Sequence, residues 1–217
     1  MTGLRIQYGG TFDPVHNGHL AVARNARDRL QAHVWLMPAA DPPHKGPTQA
    51  DAAQRLAMLK LAVAGQNGLQ VDDRELRRDG PSWTIDTLFD LRRETGAQTP
   101  LAILIGADSF LALPTWKRWE SLTDYAHIII AERPGSVIHT GALPEPLRSF
   151  AAPRWSERGS ALREAPAGRL LRLKLPLRLE SSSEIRARIA QGQPWRNWTP
   201  PAVGDYIDQH HLYAAGR

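Results

Sequence analysis

The sequence contains no cysteine. This absence excludes a disulfide framework, a thiolate nucleophile and any metal site that depends on cysteine ligands. Nowhere do about 18 apolar residues follow one another, which excludes a transmembrane helix. The first residues, MTGLRIQY, lack the basic region and long apolar stretch of a secretory signal. We therefore expect a soluble cytoplasmic protein with no membrane partner.

Lysine is scarce, since only four of the 27 basic residues are lysines, and arginine therefore carries most of the positive charge. The formal net charge is +5 and the isoelectric point is near 10.0. An anionic small substrate explains this sign of charge as well as a nucleic acid would, and we expect no nucleic-acid partner. The sequence leaves the formation of homo-oligomers open.

The remaining composition is balanced, with 217 residues, 42% hydrophobic residues and 23% charged residues. These values exclude a collagenous or wholly disordered chain and predict one domain over residues 1–217. We divide it into a main core (1–134), a variable surface insertion with no regular element (135–168) and a C-terminal strand with helices (169–217).

Short apolar runs alternate with helical patterns along the chain. The predicted strands lie at 4–8, 33–38, 69–72, 101–105, 127–131 and 170–175. Helices are predicted at 19–30, from Asp51 as N-cap through Val63, from Ser82 or Thr84 as N-cap to Gly96, and at 116–122, 181–192 and 202–211. This alternation predicts a doubly wound α/β fold with a mostly parallel sheet and a small helical C-terminal part.

The most informative string is GGTFDPVHNGH at residues 9–19, where the first strand passes into the first helix. Gly9 and Gly10 let the backbone approach a ligand closely, and His16 and His19 fall on one face of the helix. Imidazole donors there could hold phosphate oxygens. The alternatives are that His19 caps the helix while His16 is solvated, or that both bind a metal for which no third ligand lies nearby. We assign Asp13 a structural role.

A second candidate phosphate site is SSSEIR at residues 181–186. Hydroxyls and free N–H groups at a helix start, with Arg186 one turn in, suit a triphosphate. The alternative is an ordinary serine N-cap, with Glu184 favouring the helix dipole and Arg186 solvated.

Taken together, these strings resemble the nucleotidylyltransferase superfamily, whose H-x-G-H element corresponds to His16–His19. Within it, the chain is similar to bacterial nicotinate-nucleotide adenylyltransferases. Further matching segments occur in the family's order, at 42–45, 83–88, 106–109, 114–116, 132–135 and 207–213. The resemblance implies a Rossmann-like fold and transfer of the adenylyl group of ATP to nicotinate mononucleotide, in NAD biosynthesis. Three departures from the family pattern are Trp83, where tyrosine is common, Ser183, which replaces threonine and keeps a hydroxyl, and Glu180, whose side chain we expect to point away from the phosphates.

The resemblance also implies a role for each matching residue. The catalytic residues are His16 and His19. The triphosphate is bound by Gly9, Gly10, Thr11, Ser182, Ser183 and Arg186. Nicotinate mononucleotide is bound by Lys45, Trp83, Thr84, Asp108, Trp116, Lys117 and Arg133. Mg²⁺ is expected to arrive on the ATP phosphates, with no metal site built by the protein.

Two alternatives remain open at this point. An enzyme of the same fold could transfer the adenylyl group to nicotinamide mononucleotide or to phosphopantetheine. More remotely, the chain could be a non-catalytic module that binds nucleotides.

Overall fold

The computed structural model describes residues 3–40, 48–132, 135–176 and 178–215. Its seven strands form one sheet in which every neighbouring pair is parallel. The strands are β1 (Arg5–Gly10), β2 (His33–Pro38), β3 (Leu69–Val71), β4 (Leu101–Gly106), β5 (His127–Glu132), β6 (Trp155–Ser156) and β7 (Leu170–Lys174). The spatial order is β3-β2-β1-β4-β5-β7-β6. The chain thus reverses its direction of winding between β1 and β4, which lie side by side.

Helices cover both faces of this sheet. They are α1 (Asn17–Leu30), α2 (Ala52–Val63), α3 (Thr84–Thr95), α4 (Ala107–Leu111), α5 (Leu122–Tyr125), α6 (Leu147–Ala151), α7 (Ser182–Ala190) and α8 (Pro201–Gln209). The predicted doubly wound α/β fold is confirmed. In the described part of the chain, none of these helices has the length and apolar character needed to cross a membrane.

Each face of the sheet has its own hydrophobic core, and β4 shows how one strand contributes to both. Its residues Leu101, Ile103 and Ile105 pack into the core with α3 and α4, whereas Ala102 and Leu104 pack into the core with α1 and α2. Successive side chains of a strand point to opposite faces. An unbroken apolar run is therefore the pattern of a central strand that is covered on both sides.

Most predicted elements agree with the observed bounds to within a few residues, and three expectations are wrong. Segment 135–168 does contain regular elements, since α6 lies within it and β6 joins the sheet beside β7. Neither Ser82 nor Thr84 caps α3. The N-cap is Trp83, which makes no side-chain cap bond, while the Ser82 hydroxyl bonds to the Glu75 carbonyl. The helix expected at 116–122 begins only at Leu122 as α5, after a 3-10 turn at Trp119–Ser121.

Candidate active site

A cleft of about 260 Å³ opens at the carboxyl ends of β1, β4, β5 and β7. This is the edge where β1 and β4 diverge, and ligands of open α/β sheets bind at such a switch point. One wall comes from α1 and the other from the segment between β7 and α7. The lining residues are Tyr8, His16, Gly18, His19, Ala21, Val22, Gly106, Ala131, Leu175, Pro176, Arg178, Glu180, Ser181 and Ser182.

The two histidines of the glycine-rich string lie together at the N-terminus of α1. Their rings stack with centroids 3.7 Å apart, and both residues line the cleft. The prediction that His16 and His19 share one face is confirmed. His16 is nevertheless buried, and it rather than His19 is the N-cap of α1.

The caps fix the orientation of both rings. The Nδ1 atom of His16 accepts the backbone N–H of His19, and the Nδ1 atom of His19 accepts the backbone N–H of His16, each at 3.3 Å. A ring nitrogen that accepts a hydrogen bond carries no proton, so each neutral imidazole bears its proton on Nε2. The cap engages Nδ1 of each ring, so capping and phosphate binding would use different nitrogens of the same side chain.

Gly18 has a packing reason to be glycine that the sequence does not reveal. A Cβ at this position would lie 2.9 Å from Nδ1 of His16 and 3.4 Å from the carbonyl oxygen of Glu180. Gly18 therefore lets α1 approach both the His16 ring and the far wall of the cleft.

The turn that links β1 to α1 is bound through its backbone. The carbonyl oxygen of Gly10 accepts from the backbone N–H of Ala39, and that of Thr11 accepts from the buried guanidinium of Arg55. Gly9 is the exposed residue before the last residue of β1. Gly9, Gly10 and Thr11 are not among the residues that line the cleft.

The start of α7 contributes Ser181 and Ser182 to the second wall, and Ser181 is the N-cap of the helix, as the alternative of a serine cap predicts. Ser182 lines the cleft and donates its hydroxyl to the carbonyl oxygen of Pro14 at 2.9 Å, whereas the hydroxyl of Ser183 faces that of Ser181. Arg186 lies outside the lining residues, with Nη1 2.6 Å from the carbonyl oxygen of Asp13. The α7 side chains therefore grip the turn that precedes His16.

The side chains predicted to bind the acceptor lie on other elements. Trp83 and Trp116 are half-buried and pack against the core formed with α3 and α4. Lys117, which follows Trp116, contacts the segment that carries Trp83. Its Nζ lies 3.2 Å from the Asp86 carboxylate and 5.5 Å from the centre of the Trp83 ring. Thr84 is the first residue of α3.

Asp108 is exposed in α4, directly after β4, and accepts a hydrogen bond from the Ser136 hydroxyl at 3.2 Å. The N-cap of α4 is Gly106, and Asp108 lies in the first turn of that helix. Lys45 and Arg133 lie outside the described residues. Trp83, Thr84, Asp108, Trp116 and Lys117 are not among the residues that line the 260 Å³ cleft.

Sequence reasoning missed the charged pair in the cleft wall. Among the described residues that line the cleft, Arg178 and Glu180 alone have permanently charged side chains, with Nη1 and Oε1 3.9 Å apart. Glu180 lines the cleft, with its backbone carbonyl facing Gly18 and its carboxylate beside Arg178. The signal available in the sequence was the appearance of two charges just before the SSS string.

Comparisons with known proteins agree with this architecture. Residues 7–188 match the family model described as cytidylyltransferase-like, which defines the class of the chain. Among curated relatives, a probable nicotinate-nucleotide adenylyltransferase of Stenotrophomonas maltophilia is 53% identical, with 98% of each chain covered. A protein of the same description from Pseudomonas aeruginosa is 45% identical over 96% of each chain.

At the level of structure, the chain resembles the Plasmodium falciparum nicotinic acid mononucleotide adenylyltransferase complexed with NaAD. The TM-score is 0.72 at 18% identity, with 97% of both chains covered, which supports the fold. The sequence relatives carry the finer assignment. The chain belongs to the nicotinate-nucleotide adenylyltransferase family of nucleotidyltransferases.

Proposed function

We propose that this protein transfers the adenylyl group of ATP to nicotinate mononucleotide, giving nicotinate adenine dinucleotide and pyrophosphate, as a step of NAD biosynthesis. The observation that carries the proposal is the stacked histidine pair at the switch point of the sheet, with both Nδ1 atoms held by backbone N–H groups. Similarity to the family members over nearly the whole chain supports the choice of substrates.

The reaction needs positioning and charge stabilisation more than covalent chemistry. The 5′-phosphate of the acceptor attacks the α-phosphorus of ATP in line, and the bond to the leaving pyrophosphate breaks as the new P–O bond forms. The Nε2–H groups of His16 and His19 donate to phosphate oxygens whose negative charge grows during this transfer. One preorganised donor of this kind contributes roughly 2.7–4 kcal/mol to the transition state.

The remaining triphosphate contacts are assigned to Gly9, Gly10, Thr11, Ser182, Ser183 and Arg186. The hydroxyl and N–H groups at the start of α7 favour an anion. Arg178 is the further cation of the cleft wall, and we expect its loose pairing with Glu180 to break when a triphosphate enters. The neutral donors and Arg178 together offset the charge of the leaving group.

We assign the binding of nicotinate mononucleotide to two tryptophan rings and to the polar groups around them. Trp116 stacks on the nicotinate ring with Trp83 beside it, while Thr84 and the backbone N–H of Lys117 bind the carboxylate. Asp108 accepts hydrogen bonds from the ribose hydroxyls. The predicted phosphate and nucleotide contacts of Lys45 and Arg133 complete this set.

Mg²⁺ belongs to the proposal as a companion of ATP. Among the described residues, no group of three or more acidic or histidine side chains could hold a metal ion, and the Asp13 carboxylate is already hydrogen-bonded. This donor set fits an ion that is held by phosphate oxygens and water. When bound, Mg²⁺ neutralises charge on the triphosphate.

The test is an acceptor competition. The purified protein is given ATP and Mg²⁺ with nicotinate mononucleotide, nicotinamide mononucleotide or phosphopantetheine, and pyrophosphate release is measured. We expect the nicotinate acceptor to give the highest kcat/KM, with His19→Ala as the control for contaminating activity. A preference for the amide or for phosphopantetheine would contradict the acceptor assignment. Nucleotide binding that weakens steeply with salt, without any pyrophosphate, would favour a non-catalytic module.

A further inference from the structure

The turn at residues 11–14, which leads from β1 to the cap of α1, is held from several directions. The carbonyl oxygen of Asp13 accepts from Arg186, and that of Pro14 accepts from Ser182, so that α7 holds the backbone of the turn. The side chain of Asp13 is only 4% exposed, and Arg186 Nη1, which binds the carbonyl oxygen of Asp13, also lies 3.9 Å from its carboxylate Oδ2. What this buried carboxylate binds determines where the turn, and therefore His16, is placed.

Three donors surround the Asp13 carboxylate. Oδ2 accepts the backbone N–H of Gln49 at 2.9 Å, and Oδ1 accepts that of Ala50 at 3.1 Å. The phenol of Tyr213 donates to Oδ1 at 2.7 Å, across 200 positions of the sequence. The carboxylate thus joins the turn to the residues just before α2 and to the segment after α8.

Tyr213 makes this contact from an unusual backbone conformation. Its φ is +65°, in the left-handed region that side chains other than glycine rarely adopt, and the residue is 7% exposed. Such a conformation persists only where the surroundings hold it, and it is concentrated at functional positions. Burial and the neighbouring Asp13 raise the pKa of the Tyr213 phenol, so the group stays protonated and acts as a donor.

We infer that Tyr213 is a positioning residue for adenylyl transfer, acting through Asp13 to hold the turn that carries His16. The inference rests on the proposed function. Its physical basis is that charge stabilisation in the transition state depends on donor positions within fractions of an ångström. The Tyr213–Asp13 bond is buried, and neither residue is among those that line the cleft, so it acts through the turn.

The primary test is Tyr213→Phe, which removes one hydroxyl and keeps the ring. The control is Tyr206→Phe in α8, since the Tyr206 ring is half-buried and packs on His210. With nicotinate mononucleotide and ATP, we expect kcat of Tyr213→Phe to fall roughly tenfold, below the ~10²-fold cost of a 1 Å misplacement. KM for ATP should change less than about twofold, since the lost effect is confined to the transition state.

A double-mutant cycle with Asp13→Asn adds a second measurement. In either orientation, the amide nitrogen of the new side chain faces the N–H of Gln49 or of Ala50, so kcat should fall further than in Tyr213→Phe. If the two residues act as one unit, kcat of the double variant will equal that of Asp13→Asn alone. Assays run well below the melting temperatures of all variants, which are measured in parallel.

The outcomes separate a positioning role from a structural one. A lowered melting temperature with wild-type kcat in Tyr213→Phe would overturn the inference, and so would an equal loss in Tyr206→Phe or a change confined to KM. If Tyr213→Phe does not fold, the double-mutant cycle cannot be completed. The test is then Asp13→Asn alone, and a wild-type kcat in that variant overturns the inference. Wild-type protein that releases no pyrophosphate with any acceptor would refute the proposed function instead, before any variant is compared.

Discussion

Substitution of Gly18 by alanine tests the arrangement of the two histidines most directly. The added Cβ would lie 2.9 Å from Nδ1 and 3.0 Å from Cε1 of His16, whereas ordinary contacts begin at 3.4 Å. The ring must therefore move by about half an ångström. It cannot move freely, because it is buried and stacked on His19.

The structure gives different magnitudes for stability and for activity. The Nδ1 atom of His16 accepts from the His19 N–H at 3.3 Å, close to the limit for a hydrogen bond, so displacement removes the cap at a cost of about 1 kcal/mol. Replacing a helical glycine by alanine raises the free energy of unfolding by up to about 1 kcal/mol. These contributions nearly cancel, and the melting temperature should shift by less than about 4 °C. Turnover should fall roughly tenfold, because the His16 ring is misplaced by about half of the 1 Å that costs about 10²-fold.

The assay is steady-state pyrophosphate release with nicotinate mononucleotide and ATP, together with thermal unfolding. Gly204→Ala in α8 is the matched control, since its Cβ would meet Thr199 Oγ1 at an ordinary 3.5 Å. That variant should keep wild-type turnover and gain up to about 1 kcal/mol of stability. Wild-type kcat in Gly18→Ala would refute the reasoning, because it would show that the His16 ring can move without consequence.

Three further predictions concern single side chains. His19→Ala should lower kcat by at least about 10²-fold with an unchanged circular dichroism spectrum, and near-normal turnover would contradict its role. Arg178→Gln should raise KM for ATP several-fold, whereas Arg77→Gln, on an exposed surface, should not; equal effects would indicate general electrostatics. His127 is buried with both ring nitrogens bonded to backbone, and burial lowers its pKa below 6.5. Because the unfolded state then binds the extra proton, stability present above pH ~6.5 is lost as the pH falls through the folded-state pKa. Urea unfolding at several pH values should show this loss in the wild type and a smaller one in His127→Gln.

The fold could be predicted where local pattern and burial agree. The apolar runs of β4 and β5 identified central strands because the side chains on both faces of each strand are buried. Elements in 135–168 could not be predicted, because β6 has two residues and α6 has five, too few to show a period. Trp155 is held in place by tertiary contacts, with its ring 5.8 Å from that of Phe110.

The candidate site was predictable to the extent that it depends on spacing within one helix. Residues three apart share a face, and this rule brought His16 and His19 together. Contacts between distant segments left no such signal. Arg178 and Glu180 belong to an irregular segment without a period, and the partner of Asp13 is 200 positions away.

Arg186 shows why assignment of a residue type to a site does not determine what the residue does there. A guanidinium has five N–H donors in a planar fork, and the Asp13 carbonyl engages only Nη1. That contact sets the direction of the fork, so holding the turn and binding a phosphate are compatible roles for one side chain. The same holds for His16, whose Nδ1 caps α1 while Nε2 carries the proton. In both residues a backbone contact of one nitrogen orients the rest of the side chain, and a sequence motif names the residue without distinguishing its atoms.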